Sequence, residues 1–326
     1  MKTKILKLLK DAGGYVSGQA LCESLGVSRT AVWKVVRQLQ EDGYAIEAVR
    51  NRGYRLAESG DIYTKAELES VLHTKWAGRN LVFMQQVDST NNKARQLAEE
   101  GAVEGTLVVA VEQSAGKGRR GRSWVSLNGT GVWMSLLLRP DFPPECASAL
   151  TLVAAMAVEE GIFQATGLEG KIKWPNDIVL EGKKVCGILT EMSTEMESIH
   201  FVVVGMGINV EVREFPEEIR ETATSLVLHT DKDVNRAALA AEVMAAWEKY
   251  YEKFLQTLDM RLLIEEYNQK LVNLGREVKV LSAAGEYMGV SLGINESGAL
   301  LVKAADGKVR EVVSGEVSVR GIYQYV

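Results

Sequence analysis

Seven residues limit what this chain can fold into more than any others. Gly116-Lys117-Gly118-Arg119-Arg120-Gly121-Arg122 holds three glycines and four cations, and it follows a strand-like, valine-rich run from Thr106 to Val111. Glycine at that density loses too much backbone freedom to sit inside a helix or strand. Four neighbouring cations cannot enter a core without partners. The segment is therefore a loop hung on the end of a strand. Its glycines let the backbone wrap closely around a ligand, and its arginines can grip phosphate or carboxylate oxygens in pairs. It is not a phosphate-binding Walker loop, because Gly-x4-Gly-Lys-Ser/Thr is absent. The composition predicts a flap that is mobile when empty and folds over its ligand. From these residues alone, a basic nucleic-acid patch remains a competing reading.

Around the flap, strand-like runs (81–87, 106–111, 132–138, 171–173, 178–180, 185–192 and 200–210) alternate with helical stretches (91–99, 147–165, 235–255 and 260–273). This pattern predicts an α+β or α/β domain with the apolar runs 106–111 and 201–204 near the centre of a sheet. Three further clusters lie within it. Asp88-Ser89-Thr90-Asn91-Asn92 follows a strand and opens a helix, where free N–H groups and hydroxyls can meet polar ligand atoms. Lys171-Ile172-Lys173-Trp174-Pro175-Asn176-Asp177 precedes a hairpin whose returning strand starts near Lys184. Asp177 can hold Mg²⁺ beside phosphates, since that ion needs few protein carboxylates. Gly205-Met206-Gly207-Ile208-Asn209 lacks the rest of a dinucleotide fingerprint, so its glycines are read as permitting close strand packing. Each cluster taken singly also fits capping or a solvated surface.

Charge divides the chain. Residues 1–57 hold ten Lys/Arg against five Asp/Glu, a charge of +5, and the remaining 28 against 38 give −10. A small basic module on an acidic body points to nucleic acid as a partner of the module alone. Helices are predicted over 2–10, from a cap at Ser17 to Leu25, and from a cap at Ser28 to Asp42, with Gly43 closing the last. Val32, Val35, Val36 and Leu39 line one face of the third, leaving Arg29, Thr30, Lys34 and Arg37 opposite. The arrangement is a helix-turn-helix. Tyr44–Val49 and Tyr54–Leu56 then flank Arg50-Asn51-Arg52-Gly53, a hairpin with a basic tip that reads as a wing. Ser28, Arg29, Thr30, Lys34, Arg37, Arg50 and Arg52 are the expected DNA contacts. Glu58-Ser59-Gly60-Asp61 reads as a polar hinge.

Cys22, Cys146 and Cys186 are far apart, and with His73, His200 and His229 they form no metal-ligand spacing. They read as free thiols in a cytoplasmic protein. No uninterrupted apolar run of membrane-spanning length is seen. From 277 to 322, five short strands alternate with glycine-containing turns, which predicts a small barrel.

In their order, the four clusters resemble those of the biotin–protein ligase family. With the winged module, the resemblance is to its bifunctional members, the ligase/biotin-operon repressors, and it extends over the whole chain. The resemblance implies a multi-domain fold: an N-terminal winged helix-turn-helix (1–61), a central α+β biotin/lipoate-ligase-like catalytic domain (62–272) and a C-terminal SH3-like β-barrel (273–326). It implies activation of biotin with ATP to biotinyl-5′-AMP, then transfer to a lysine of a biotin carboxyl carrier protein. That carrier is expected in acetyl-CoA carboxylase, with pyruvate carboxylase as a second candidate. Biotin contacts would be Ser89, Thr90, Asn91, Gln113, Lys117, Gly118, Arg119 and Lys184. Nucleotide contacts would be Arg120, Arg122, Trp124, Lys173, Asn176, Asn209 and Arg320. Lys184, Arg119 and Asp177 would do the chemistry, with Mg²⁺ at Asp177. Family members usually carry arginine at the first cation of the flap; Lys117 keeps its charge and loses the fork. The adenylate would also act as corepressor, joining two copies of the chain on operator DNA. A biotin-sensing repressor without catalysis and a lipoate–protein ligase are the alternatives.

Overall fold

A computed structural model describes residues 1–57, 60–282, 285–313 and 318–321, the last four by their backbone. Glu58 and Ser59 of the expected hinge lie outside the described residues.

The N-terminal module consists of α1 (Lys2–Ala12), α2 (Gly18–Leu25), α3 (Arg29–Glu41) and the hairpin of β1 (Ile46–Val49) and β2 (Gly53–Leu56). Caps set these boundaries. Ser17 accepts from the Ala20 N–H and Ser28 from the Ala31 N–H, while Gly13 and Gly26 end their helices in the left-handed region. Asn51 and Gly53 take the positive φ that the wing tip requires, 65° and 105°. Ile5, Leu9, Leu21, Val32, Val36 and Leu39 are buried in the module's own core.

A short helix, α4 (Lys65–Val71), joins this module to the body. Thr64 caps it by accepting from the Glu67 N–H. Lys10 of α1 reaches Glu67, and its ammonium donates to Ser70 Oγ at 2.9 Å. Asp61, read from sequence as part of a polar hinge, pairs with Arg236, whose backbone N–H also donates to it at 2.9 Å.

The body is a seven-stranded sheet ordered β3-β4-β5-β9-β8-β7-β6. Its strands are β3 (Asn80–Val87), β4 (Thr106–Gln113), β5 (Gly131–Leu138), β6 (Lys171–Lys173), β7 (Asp177–Leu180), β8 (Lys183–Glu195) and β9 (Ser198–Asn209). Only β3 and β4 run parallel, so the domain is α+β. Residues 201–204 fall on the middle strand and 106–111 on an interior one, as their apolar character predicts. Leu107 and Val109 pack on one face with α6 (Leu150–Thr166) and α7 (Arg236–Phe254); Val108 packs on the other beneath α5 (Thr90–Glu99). Apolar over most of its circumference, α6 is buried between sheet and α7 over its first three turns. The stretch Pro144–Thr166 meets the length and mean hydropathy of a membrane span, but 78% of its apolar window is covered by the rest of the protein.

The helix expected over 260–273 is shorter, α8 (Ile264–Lys270). Its ends are spent on other partners: the Met260 N–H donates to Glu296 O at 2.7 Å and the Val272 N–H to Ile172 O at 2.9 Å. Beyond it β10 (Glu277–Ser282), β11 (Gly285–Ile294), β12 (Leu300–Ala304), β13 (Val309–Val312) and β14 (Ser318–Gly321) form an antiparallel sheet, with β13 and β14 at its two ends.

Candidate active site

Two adjoining hollows open where the flap crosses β8 and β9. The smaller, a slot of about 50 Å³, is bordered by Ser89, Thr90, Asn91, Gln113, Lys117 and Gly118, among others. The larger, a cavity of about 660 Å³, is bordered by Arg120, Arg122, Lys173, Asp177 and Asn209, and by a strap over 212–223. Gly118, Arg119, Trp124, Asn176 and Lys184 border both.

The slot's polar groups hold one another. Gln113, at the end of β4, accepts through Oε1 from the Thr90 N–H at 2.7 Å and from the Thr90 hydroxyl at 3.0 Å. Its amide donates to Ser126 Oγ at 2.8 Å. Ser135, fully buried on β5, makes hydroxyl contacts of 2.8 Å to Thr90 Oγ1 and 2.6 Å to Asn91 Oδ1. The Asn91 amide in turn donates to Glu191 Oε2 at 2.7 Å and Leu189 O at 3.2 Å. Ser89 stands at the N-cap of α5 with no side-chain capping bond, leaving that hydroxyl to the slot.

The glycines of β8 and β9 make room for this arrangement. A Cβ on Gly205 would lie 2.1 Å from Asn91 Oδ1. Gly187 and Gly207 face each other across the ladder, and Cβ atoms there would come within 2.9 and 2.6 Å of the Trp124 indole. Gly187 and Gly207 thus form a flat floor on which Trp124 lies. The buried indole N–H of Trp124 has no hydrogen-bond partner among the described residues, so an acceptor there would complete it.

Charge gathers where the hollows meet. Lys184 Nζ pairs with Asp177 Oδ1 at 2.6 Å and lies 5.1 Å from the Trp124 ring centroid. The strap is stitched to the same lysine by backbone bonds of 2.8 Å: Lys184 N to Thr222 O, and Thr224 N to Lys184 O. Asn209, the last residue of β9, donates to Thr224 O at 3.0 Å. From the flap, Arg119 donates to Asn176 Oδ1 at 2.9 Å. Burial pushes the Arg119 guanidinium below its ordinary value and Asp177 partly offsets this; an anion that neutralises it would be favoured. Lys117 donates to Asn92, whose amide donates to Asp88, so the flap's first cation is moored to the start of α5. Arg120 sits at φ 57°.

Residues 83–209 match the biotin/lipoate A/B protein ligase family, 2–55 a helix-turn-helix domain, and 274–320 the biotin protein ligase C-terminal domain. The bifunctional ligase/repressor BirA of Bacillus subtilis (strain 168) is 39% identical over 97% of this chain and 98% of its own length. The chain belongs to the bifunctional biotin–protein ligase/repressor family. Its Escherichia coli (strain K12) relative of the same name is 30% identical over 97% of this chain and 96% of its own. Among solved structures, biotin protein ligase from Aquifex aeolicus in complex with biotin and ATP superposes with a TM-score of 0.67, at 35% identity over 74% of this chain and 99% of that one.

For this family member, sequence reading located every cluster of the two hollows but missed their supports. Ser135 lies in an apolar strand, Glu191 is one of several polar residues in the outer half of β8, and the strap from Val212 to Ala223 has no periodicity to reveal it. The side chain of Arg320, on β14, lies outside the described residues. The expected DNA contacts are apart from the hollows: Arg29, Thr30, Lys34 and Arg37 are exposed on α3, Arg50 and Arg52 on the wing, and Ser28 caps α3. Arg52 and Arg55 flank the Tyr15 ring at 4.6 and 5.1 Å, which ties the wing to the turn before α2.

Proposed function

We propose that this chain joins biotin to ATP in the paired hollows and passes it to a lysine of a carrier protein, while its N-terminal module represses transcription. One observation carries the enzymatic half: the flap's Arg119 and the amine of Lys184 converge on one space that connects a polar slot to a larger cavity. The slot takes the biotin ring through Ser89, Thr90, Asn91 and Gln113, with Lys117 and Gly118 above it. At about 50 Å³ it is the smaller hollow, and movement of Trp124 off its glycine floor would enlarge it for a bicyclic acid. The cavity takes the nucleotide, with Arg120, Arg122, Trp124, Lys173, Asn176 and Asn209 around it; Arg320 is assigned there by family resemblance.

Biotin's carboxylate attacks the α-phosphorus of ATP. A bond from one carboxylate oxygen to phosphorus forms as the bond to pyrophosphate breaks. Lys184 and Arg119 stabilise the added negative charge, which is electrostatic catalysis by pre-placed cations. The flap then keeps water from the mixed anhydride. The carrier's ε-amine attacks the anhydride carbonyl, an amide forms and AMP leaves. Asp177 orients the amine and accepts its proton. Among the described residues no cluster of three acidic, histidine or cysteine ligands exists; Asp177 is a single buried carboxylate facing the cavity. That donor set suits Mg²⁺ held mainly by phosphates and water, and the ion would supply charge neutralisation at the phosphates.

The same reading divides the chain at 61/62 and 272/273. It takes the carrier of acetyl-CoA carboxylase as partner, with pyruvate carboxylase a second, and pairs two adenylate-loaded copies on operator DNA. The deciding experiment is mass spectrometry of a biotin carrier domain after incubation with the chain, ATP, Mg²⁺ and biotin. One biotin per carrier is expected, with lipoate failing in its place. An unmodified carrier would leave a biotin-sensing repressor, and lipoyl transfer would leave a lipoate ligase.

A further inference from the structure

The outer face of α3 carries one residue that its charge pattern does not explain. Trp33 lies one turn after Arg29 and Thr30, beside Lys34, and one turn before Arg37, with 48% of its surface exposed. Val32, Val36 and Leu39 fill the module's core from the other side of the helix, so the exposed indole contributes little to holding the module together. An indole left in water forgoes the burial of a large apolar surface. Its position is nonetheless defined: the guanidinium carbon of Arg37 sits 5.3 Å from the indole centroid, a cation–π contact across one helical turn. The apolar ring is thus displayed among three cations, on a module with ten basic and five acidic residues.

We infer that Trp33 reads thymine in the major groove of the operator, an inference that rests on the reading of the N-terminal module as DNA-binding. The chemistry of the side chain selects the base. An indole offers an apolar face and one N–H donor, with no acceptor. Thymine shows the major groove a methyl group beside the O4 acceptor, which matches both. Cytosine shows an amino donor that an indole cannot accept, guanine shows two acceptors and no methyl, and adenine sets a donor beside its N7. Position agrees with chemistry. Residues in the N-terminal half of a recognition helix reach base edges, and Trp33 is in the second turn of α3. Arg37 covers one side of the ring and braces it, while Arg29 and Lys34 flank it as phosphate contacts that fix register.

The test uses the full chain with ATP and biotin, and a pool of random-sequence duplexes as the probe. Wild type and Trp33→Ala are selected in parallel and the retained duplexes sequenced. Wild type is expected to enrich a motif containing thymine at a defined position. Trp33→Ala should lose the preference at that position alone and bind the wild-type-selected duplex about tenfold more weakly. It should also cease to distinguish that duplex from one with deoxyuridine, which lacks the methyl, at the same position. Trp33→Phe, which keeps an aromatic face, should retain part of the thymine preference. Biotin transfer to a carrier should not change, because Trp33 borders neither hollow. Enrichment of the same motif with the same thymine preference by Trp33→Ala would overturn the inference, even if affinity fell. So would a loss of self-association with unaltered base preference, which would make Trp33 a contact between copies. A wild-type chain that enriches no sequence would overturn both the inference and the DNA-binding reading beneath it.

Discussion

The slot and the cavity share a border yet are built by different means. In the slot, Thr90, Asn91, Gln113, Ser135 and Glu191 sit on strands and a helix and are already hydrogen-bonded to one another. In the cavity, Arg120 and Arg122 hang on the flap, and much of the far wall is the strap. A pre-bonded polar slot discriminates by leaving its groups unpaired when the wrong ligand enters. A loop-walled cavity gains by closing, which sequesters the reaction. On the proposed function, this contrast separates recognition of the acid from containment of its activated form, and Lys184 and Arg119, which border both hollows, link the two tasks.

The largest expected effect comes from removing that link. Lys184→Ala should slow adenylate formation roughly 100- to 1000-fold, the usual consequence of losing one pre-placed charge-stabilising donor, while altering biotin affinity far less. Pyrophosphate release in single turnover measures it; an unchanged rate would separate the two hollows functionally. Next is Arg119→Gly, which removes a charge-assisted contact made by the flap. Adenylate should escape about 10- to 100-fold faster, followed as biotinyl-adenylate appearing in solution without carrier. Unaltered release would mean that the flap does not contain the intermediate. Gly205→Ala probes the slot instead. The added methyl would overlap Asn91, so biotin should bind about tenfold more weakly and stability should fall by about 1–3 kcal/mol. Calorimetry and thermal melting read both, and wild-type biotin affinity would show the slot to be more compliant than its bonding suggests.

The smallest effect concerns pH. The Asp88 carboxyl is held below its ordinary value chiefly by the Asn92 amide, with burial opposing and Lys117 adding slightly. A depressed folded-state value means that folding favours the charged form. Its contribution is complete above the ordinary carboxylate range and is lost as pH falls through the depressed value. Asp88→Asn should therefore flatten the acid limb of stability and change it at neutral pH by no more than about 0.5 kcal/mol, since the group is largely exposed. Melting curves across acidic pH would show this; parallel curves for the two chains would dismiss the mooring of Lys117 through Asn92.

Sequence reading succeeded where local chemistry is decisive. Ser17, Ser28, Gly13, Gly26 and Gly43 mark the ends of α1, α2 and α3 because capping bonds form within a few residues. The interior strands β4, β5 and β9 were legible because they are buried on both faces over most of their length. The short α4 was missed, although Thr64 and Glu67 have the spacing of a capping box; seven residues carry too little periodicity, and Lys10 of α1 meets the helix only after folding. The helix at 260–273 was drawn too long because Met260 and Val272 give their N–H groups to distant carbonyls. Ser135 was invisible because a single polar residue in an apolar strand signals nothing until its partner arrives from α5, and Glu191 because it is one of several polar residues in the outer half of β8.

By itself, then, the order of residues determined the kinds of elements, the flap's character and the family to which the chain belongs, since these depend on local propensity and on motifs of contiguous residues. Tertiary structure decided what those motifs share: that Gly205 and Gly207 yield space to Asn91 and Trp124, that Lys184 stands against Asp177 and beneath the flap, and that the strap walls the larger cavity. Such facts follow from the packing of α5 on the sheet, which brings Asn91 to β8 residues about 100 positions away and which no local pattern encodes.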